Sequence, residues 1–345
     1  MGVPEVRNAK GGWEGASCTL SPVPRPMPDY SIFGSCLRSE LVFPELGTAT
    51  NAAPRWTLQV SHQRHPPAGT TLLGTDDIGD GAAVRLYKLP AGYLLDYDDD
   101  TGSFEVSADG GLITWFPVPD PNTVMVRMHV IGRVLATALH AAGLFCLHGS
   151  GVVVEGVAIG FLAPRFWGKS TLAMALARAG ARLLSDDTLA LHPDDVVVKL
   201  WPGVHSMRLW GDSAEQIAGA DPAAGAPPFQ VKRTFSRLPE HLLAREPVPV
   251  SALYLLAPNR GTGPVAQREA LAPVPAAAAL VGHTKIGALL GKSEAPVVFD
   301  RAVRIASRVP VYRLDLVRDF AQLSAVVTQL IAWHRGTTAR ERSLV

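Results

Sequence analysis

The segment "GVAIGFLAPRFWGKSTLAMALARAG", Gly156–Gly180, constrains the fold more than any other stretch of the chain. An apolar run leads into a short loop ending Gly-Lys-Ser-Thr, and a helical pattern follows, closed by Gly180. Strand, loop and helix in that order form the frame in which N–H groups at a helix N-terminus converge on phosphate oxygens. A lysine then neutralises the outer phosphates and a hydroxyl reaches the metal. Gly168, Lys169, Ser170 and Thr171 supply the second half of this device. The first half departs from it. Ala163 stands where the first glycine belongs, Pro164 has no N–H to donate, and Trp167 replaces a small residue that would let the backbone approach. Only one donor is lost at Pro164, so the expectation is weakened phosphate binding, not its abolition.

Acids flank the loop in a telling place. Asp186 and Asp187 follow the strand "RLLS", at the carboxyl end where α/β proteins place their chemistry. One carboxylate can help hold Mg2+ while the other accepts a proton from an attacking hydroxyl. Taken alone, the pair reads first as a solvated turn ending the strand. His148, in "LHGSGV" before the loop, taken alone reads as a strand-end structural histidine.

The rest of the chain divides by texture. Residues 1–27, rich in Pro and Gly, read as a loose tail, and 28–140 as a strand-rich portion ending in a helix. In that portion "LVFPEL", "RWTLQV", "AVRLYKL", "GYLLDY" and "GLITWFPV" are the expected strands, arranged antiparallel. From Thr123 to Cys146, the positions Val124, Met128, Ile131, Leu135, Ala138 and Ala142 recur at helical spacing, with Asp120 as N-cap and Pro121 as first helical residue. Arg127, His129 and Arg133 interrupt its apolar character, so it is expected to pack in a core and not to cross a membrane. Residues 141–345 read as a mixed α/β catalytic portion. Its elements are strands at 144–148, around 152–162 and at 182–185, a helix at 169–179, strands in "VSALYLLA" and "VPVYRLDL", and a closing helix in "DFAQLSAVVTQLIAWHR". The pieces at 218–228 and 271–280 read as loops or short helical insertions.

With 47% hydrophobic and 18% charged residues the chain has ample material for a core, and a net charge of +1 gives no footprint for nucleic acid or an anionic membrane. Three widely spaced cysteines form neither a disulfide framework nor a metal knuckle. Together with an N-terminal stretch that lacks a signal peptide's apolar centre, they give the expectation of a cytoplasmic protein.

His148-Gly149, Gly168-Lys169-Ser170, "ARAGARLL" and Asp186-Asp187, with His148 twenty-one residues before Lys169 and Asp187 eighteen after it, resemble the catalytic domain of the HPr kinase/phosphorylase family. More weakly, "YSIFGSCLRSELVFPEL" and "VPVYRLDLVRDFAQL" resemble flanks of HPr-kinase-like serine kinases from peptide natural-product pathways, lasso peptides included. The resemblance implies a phosphate-loop, phosphoenolpyruvate-carboxykinase-like α/β fold and an ATP- and Mg2+-dependent kinase acting on a seryl hydroxyl. The acceptor would be a peptide or small natural product and not HPr itself, and the protein a homo-oligomer. It further implies that Lys169 binds the outer phosphates, Ser170 ligates Mg2+ with support from Asp186, Asp187 is the general base, and His148 assists. Gly168, Thr171 and Trp167 belong to the nucleotide site, and Arg208 is a candidate phosphate contact, with Lys232 and Arg233 behind it. The family's downstream metal-binding glutamate has no clear match in "WPGVHSMRLWGDSAEQ", where Asp212 is the candidate replacement. Two other readings stay open: an ATP-binding sensor or scaffold without phosphoryl transfer, and a small-molecule kinase.

Overall fold

The computed structural model describes residues 27–49, 53–63, 69–79, 81–205, 207–210, 232–235, 239–258 and 263–335. Two mixed β-sheets and their helices make up a mixed α/β protein.

Nine strands form the first sheet: β1 (Asp29–Ile32), β2 (Ser35–Ser39), β3 (Gly47–Thr48), β4 (Pro54–Val60), β5 (Thr71–Gly79), β6 (Ala82–Leu89), β7 (Gly92–Tyr97), β8 (Ser103–Ser107) and β9 (Leu112–Phe116). They lie in the order β3-β1-β2-β4-β9-β8-β7-β6-β5. The expectation of an antiparallel arrangement holds for the meander β5–β9 and fails at the centre, where β4 runs parallel to both β2 and β9. A second correction concerns "LVFPEL", which forms a turn region in place of a strand. Its Phe43 is nevertheless buried, and its N–H donates to the Tyr30 hydroxyl at 3.0 Å. Residues two apart on each central strand, such as Trp56 and Leu58 or Val84 and Leu86, turn to one buried face, as the pleat requires.

A helical run covers that face: α1 (Thr123–His129), a π-helical turn (Val130–Val134) and α2 (Leu135–Ala141). It starts two residues later than expected. Asp120 sits at φ 50°, outside helical space, and Asn122 caps the helix instead by accepting from Met125 N at 3.2 Å. It also ends before Cys146, which lies in the next strand. Thr123–Ala141 is long and apolar enough to cross a membrane by composition, yet Val126, Val130, Val134, Ala138 and Leu139 are buried in the core of the first sheet. The polar residues that interrupt it are tethers to that sheet and its loops. Arg127 binds Glu45 at 3.0 Å, His129 Nε2 lies 2.7 Å from Asp99, and Arg133 Nε binds Asp76 at 3.0 Å.

The second sheet comprises β10 (Phe145–Leu147), β11 (Gly149–Val154), β12 (Val157–Leu162), β13 (Arg182–Ser185), β14 (Leu189–Leu191), β15 (Lys199–Trp201), β18 (Val248–Pro258), β19 (Ala266–Ala270) and β20 (Val311–Leu316); β16 (Met207–Trp210) and β17 (Lys232–Phe235) make a separate ribbon. β11 and β12 are buried along their whole length. Alternate residues face opposite layers. Val152, Val154, Ile159 and Phe161 pack under α3 (Lys169–Arg178) and α6 (Phe320–His334). Val153, Ala158 and Leu162 pack over α4 (Pro273–Gly282) and α5 (Ala295–Ala306). A sheet covered on both faces explains why these strands read as continuous apolar runs. Residues 271–280 thus hold most of a true helix, whereas 218–228 and Asp212 lie outside the described residues.

Candidate functional site

Strand direction gathers the site. β12 and β13 both pair antiparallel with β11, so they run parallel to each other and their carboxyl ends lie at the edge where β11 begins. The register places Leu162 opposite Gly149 and Ser185 opposite Gly151. The loop after Leu162, the acids after Ser185 and His148 just before Gly149 therefore meet at one edge, although 39 residues separate His148 from Asp187.

The loop departs from a glycine-rich cradle in a specific way. Ala163 is buried and absent from the positive-φ residues, so alanine is tolerated there. The left-handed positions are Phe166 (φ 68°) and Gly168 (φ 81°). For an aromatic residue that conformation is strained by roughly 1–2 kcal/mol, and Arg318 holds it in place by donating to the Phe166 carbonyl at 2.7 Å. The Arg318 guanidinium also lies 5.5 Å from the Trp167 ring. Trp167 packs on the core beneath α3 and α6, while Phe166 is exposed. Gly168 is the N-cap of α3 and offers no side-chain acceptor to the first turn.

Lys169 is buried, and its ammonium donates to the Ala163 carbonyl at 2.8 Å and the Pro164 carbonyl at 3.0 Å. Ser170 Oγ donates to Asp186 Oδ1 at 3.0 Å, and Ser150 Oγ donates to the same oxygen at 2.5 Å. Burial pushes the Asp186 carboxyl above its ordinary range, helped by the charge of Asp187 and opposed by the two serine hydrogen bonds. A hydroxyl and a buried carboxylate side by side are hard oxygen donors of the kind Mg2+ takes. Among the described residues no cluster of three or more His, Cys, Asp or Glu side chains forms a larger metal site.

Asp187 adopts φ 71° and turns its side chain, 55% exposed, into the cavity. His148 Nδ1 donates to its backbone carbonyl at 3.1 Å and lies 3.3 Å from Oδ1. The other carboxylate oxygen accepts from Lys285 Nζ at 2.5 Å. Desolvation raises the carboxyl, but the Lys285 ammonium and the His148 hydrogen bond outweigh it and hold Asp187 well below the usual carboxylate range.

Nothing in the sequence marks Lys285. It arrives because residues 283–285 add to the end of β10: His148 N donates to the His283 carbonyl and Lys285 N to the Cys146 carbonyl, both at 2.8 Å, around a bridge between Leu147 and Thr284. Arg165, exposed in the loop, is a second cation in the cavity wall that the motif did not single out.

The cavity over the loop has a volume of about 810 Å³. Its walls include Lys169, Ser170, Thr171, Trp167, Asp186 and Asp187, so the structure brings these expected residues together. An apolar wall from Met125, Met128 and Ile131 faces them. A second cavity of about 750 Å³ adjoins it, and Arg133, His148, Arg165, Asp187 and Lys285 line both. Arg208, Lys232 and Arg233 fall in the β16–β17 ribbon, with Arg208 opposite Thr234.

No protein-family model matches the chain, and no curated protein matches it. Among solved structures, the Hpr(Ser) kinase/phosphatase from Coxiella burnetii aligns with 55% of this chain and 95% of its own, at a TM-score of 0.30 and 13% identity. A superposition that loose carries no weight for fold or function, so the functional reading rests on the site itself.

Proposed function

We propose that this chain is an ATP- and Mg2+-dependent phosphotransferase that moves the γ-phosphoryl group to a hydroxyl, seryl by preference, on a peptide or small natural product. One observation carries the reading: a lysine at the start of a helix, a serine–carboxylate pair and a histidine-held carboxylate converge on one sheet edge around one cavity. The arrangement supports a phosphate-binding loop with an acid pair, and phosphoryl transfer needs little more than positioning and charge neutralisation.

In this reading Lys169 leaves the Ala163 and Pro164 carbonyls for the outer phosphate oxygens, and the first turn of α3 faces the same oxygens. Ser170 and Asp186 are the residues that would hold Mg2+, whose chemistry is to neutralise the phosphate charge. His148 fixes the Asp187 carboxylate, which orients the acceptor hydroxyl and takes its proton. A carboxylate stabilised this far is a weak base, which suits a loose transition state in which the proton leaves late.

The test is calorimetric titration with a non-hydrolysable ATP analogue, with and without Mg2+, beside Lys169→Ala, followed by a panel of hydroxyl acceptors. Affinity that needs both Mg2+ and Lys169, and phosphate incorporation lost in Asp187→Asn, support the kinase. Tight binding without transfer to any acceptor favours the sensor or scaffold, and no binding at millimolar analogue removes both.

A further inference from the structure

We propose that Lys285 is a catalytic residue of this site, the cation that holds the phosphoryl group while it passes from donor to acceptor; the proposal rests on the phosphotransferase reading. Three observations place it there. Lys285 lines both cavities, so it stands in the partition between the space over the loop and the space beyond it. Its side chain is 10% exposed and its ammonium lies 2.5 Å from Asp187 Oδ2, the group that would orient the acceptor. Its backbone is held by the strand-like addition to β10, which also fixes His148, so the ammonium and the imidazole share one support.

In-line transfer requires donor and acceptor on opposite sides of the group in flight. Lys169 and the second half of the loop line the first cavity, whereas Ala163 and Pro164 of its first half line the second. The second cavity opens beyond the same partition toward Asp76, His283 and Thr284, and gives the acceptor a separate approach. Lys169 acts on the donor side, leaving the equatorial oxygens to a cation at the partition. In the step, the acceptor oxygen bonds to the γ phosphorus and the bond from that phosphorus to the β,γ-bridging oxygen breaks, its electron pair leaving with ADP. The hydroxyl proton goes to Asp187. Lys285 stays protonated throughout, and its ammonium turns from Asp187 Oδ2 to the oxygens of the moving group. A preorganised charge at that point acts on the transition state more than on bound nucleotide.

The experiment reads this difference with Mg2+–ADP as probe, titrated alone and with aluminium fluoride, which stands in for the phosphoryl group in transit. The wild-type chain should bind ADP more tightly with fluoride. Lys285→Met should leave the affinity for ADP alone within about twofold and reduce the fluoride-dependent tightening tenfold or more, with Lys285→Arg recovering part of it. Lys285→Met with Asp187→Asn removes both charges together, so a fold weakened by a lone Asp187 is not mistaken for a lost contact; it should show the same loss of tightening. Full tightening in both Lys285→Met chains, or none in a wild-type chain that binds ADP, overturns the role of Lys285 and leaves the nucleotide site standing. Failure of the wild-type chain to bind Mg2+–ADP at all overturns the phosphotransferase reading, and this proposal with it.

Discussion

Ser170 Oγ donates to Asp186 Oδ1 at 3.0 Å, joining the first turn of α3 to the end of β13 across sixteen residues of chain. The contact couples the loop's hydroxyl to the acid whose burial raises its carboxyl above the ordinary range. Asp186→Asn should keep affinity for an ATP analogue without Mg2+ within about twofold and abolish the gain that Mg2+ brings. Calorimetry at matched ionic strength reads both, and a preserved Mg2+ effect would remove Asp186 from the metal site.

Gly203 supports the same acid from behind. Its N–H donates to the Leu184 carbonyl, Asp186 N donates to the Val204 carbonyl, and a Cβ on Gly203 would lie 2.1 Å from Ser185 Oγ. Gly203→Ala should destabilise the protein by about 1–3 kcal/mol, measured by urea unfolding. It should also weaken Mg2+-dependent binding, because the strain reaches Asp186 through Ser185 and Val204.

Arg318 and the Phe166 carbonyl set the shape of the loop. Removing the guanidinium in Arg318→Ala frees a left-handed aromatic residue, and the loop should lose its pre-formed shape. The expected outcome is an analogue affinity lowered five- to twentyfold with little change in thermal stability, because Phe166 is exposed and adds little to the core. An unchanged affinity would mean that the loop needs no clamp.

His334, at the end of α6, is buried, receives the Tyr254 hydroxyl at 2.8 Å, and lies 3.2 Å from Ser251 Oγ. Burial, with the nearby Arg268 charge, pushes its pKa down to about 4. The unfolded chain binds this proton near pH 6.5, so the contribution to stability is fully present above that pH and is lost as pH falls toward about 4. At its largest it amounts to about 3 kcal/mol. His334→Gln should flatten this part of the stability–pH curve, read from chemical denaturation between pH 4 and 7.

Much of this architecture was legible because its signals are local. Strand, loop and α3 announce themselves by period and punctuation, and α6 follows its Asp319 cap, whose carboxylate accepts from Ala321 N. The acids and His148 could be suspected from their spacing around the loop. What escaped depends on distant partners. The parallel pairing of β4 with β2 and β9 is set by connections that no strand's own residues encode. The cap moved from Asp120 to Asn122 because Asp120 took a left-handed turn. Helix α5 has a clear apolar face in Val298, Ala302 and Ile305, a periodicity that could have been found. Lys285 sits in "GHTKIGALLG", where only the tertiary bridge to Leu147 gives it meaning.

The addition of residues 283–285 to β10 also orders events in folding. Loop, serine and acids lie within about forty residues, and contacts over so short a span close early. The Lys285–Asp187 pair spans 98 residues and depends on residues 283–285 joining β10, so its loop closes at a higher entropic cost. A nascent chain still lacking α4 would therefore carry Asp187 without its counter-ion, and completion of the electrostatic environment becomes a late checkpoint on the maturity of the whole second layer.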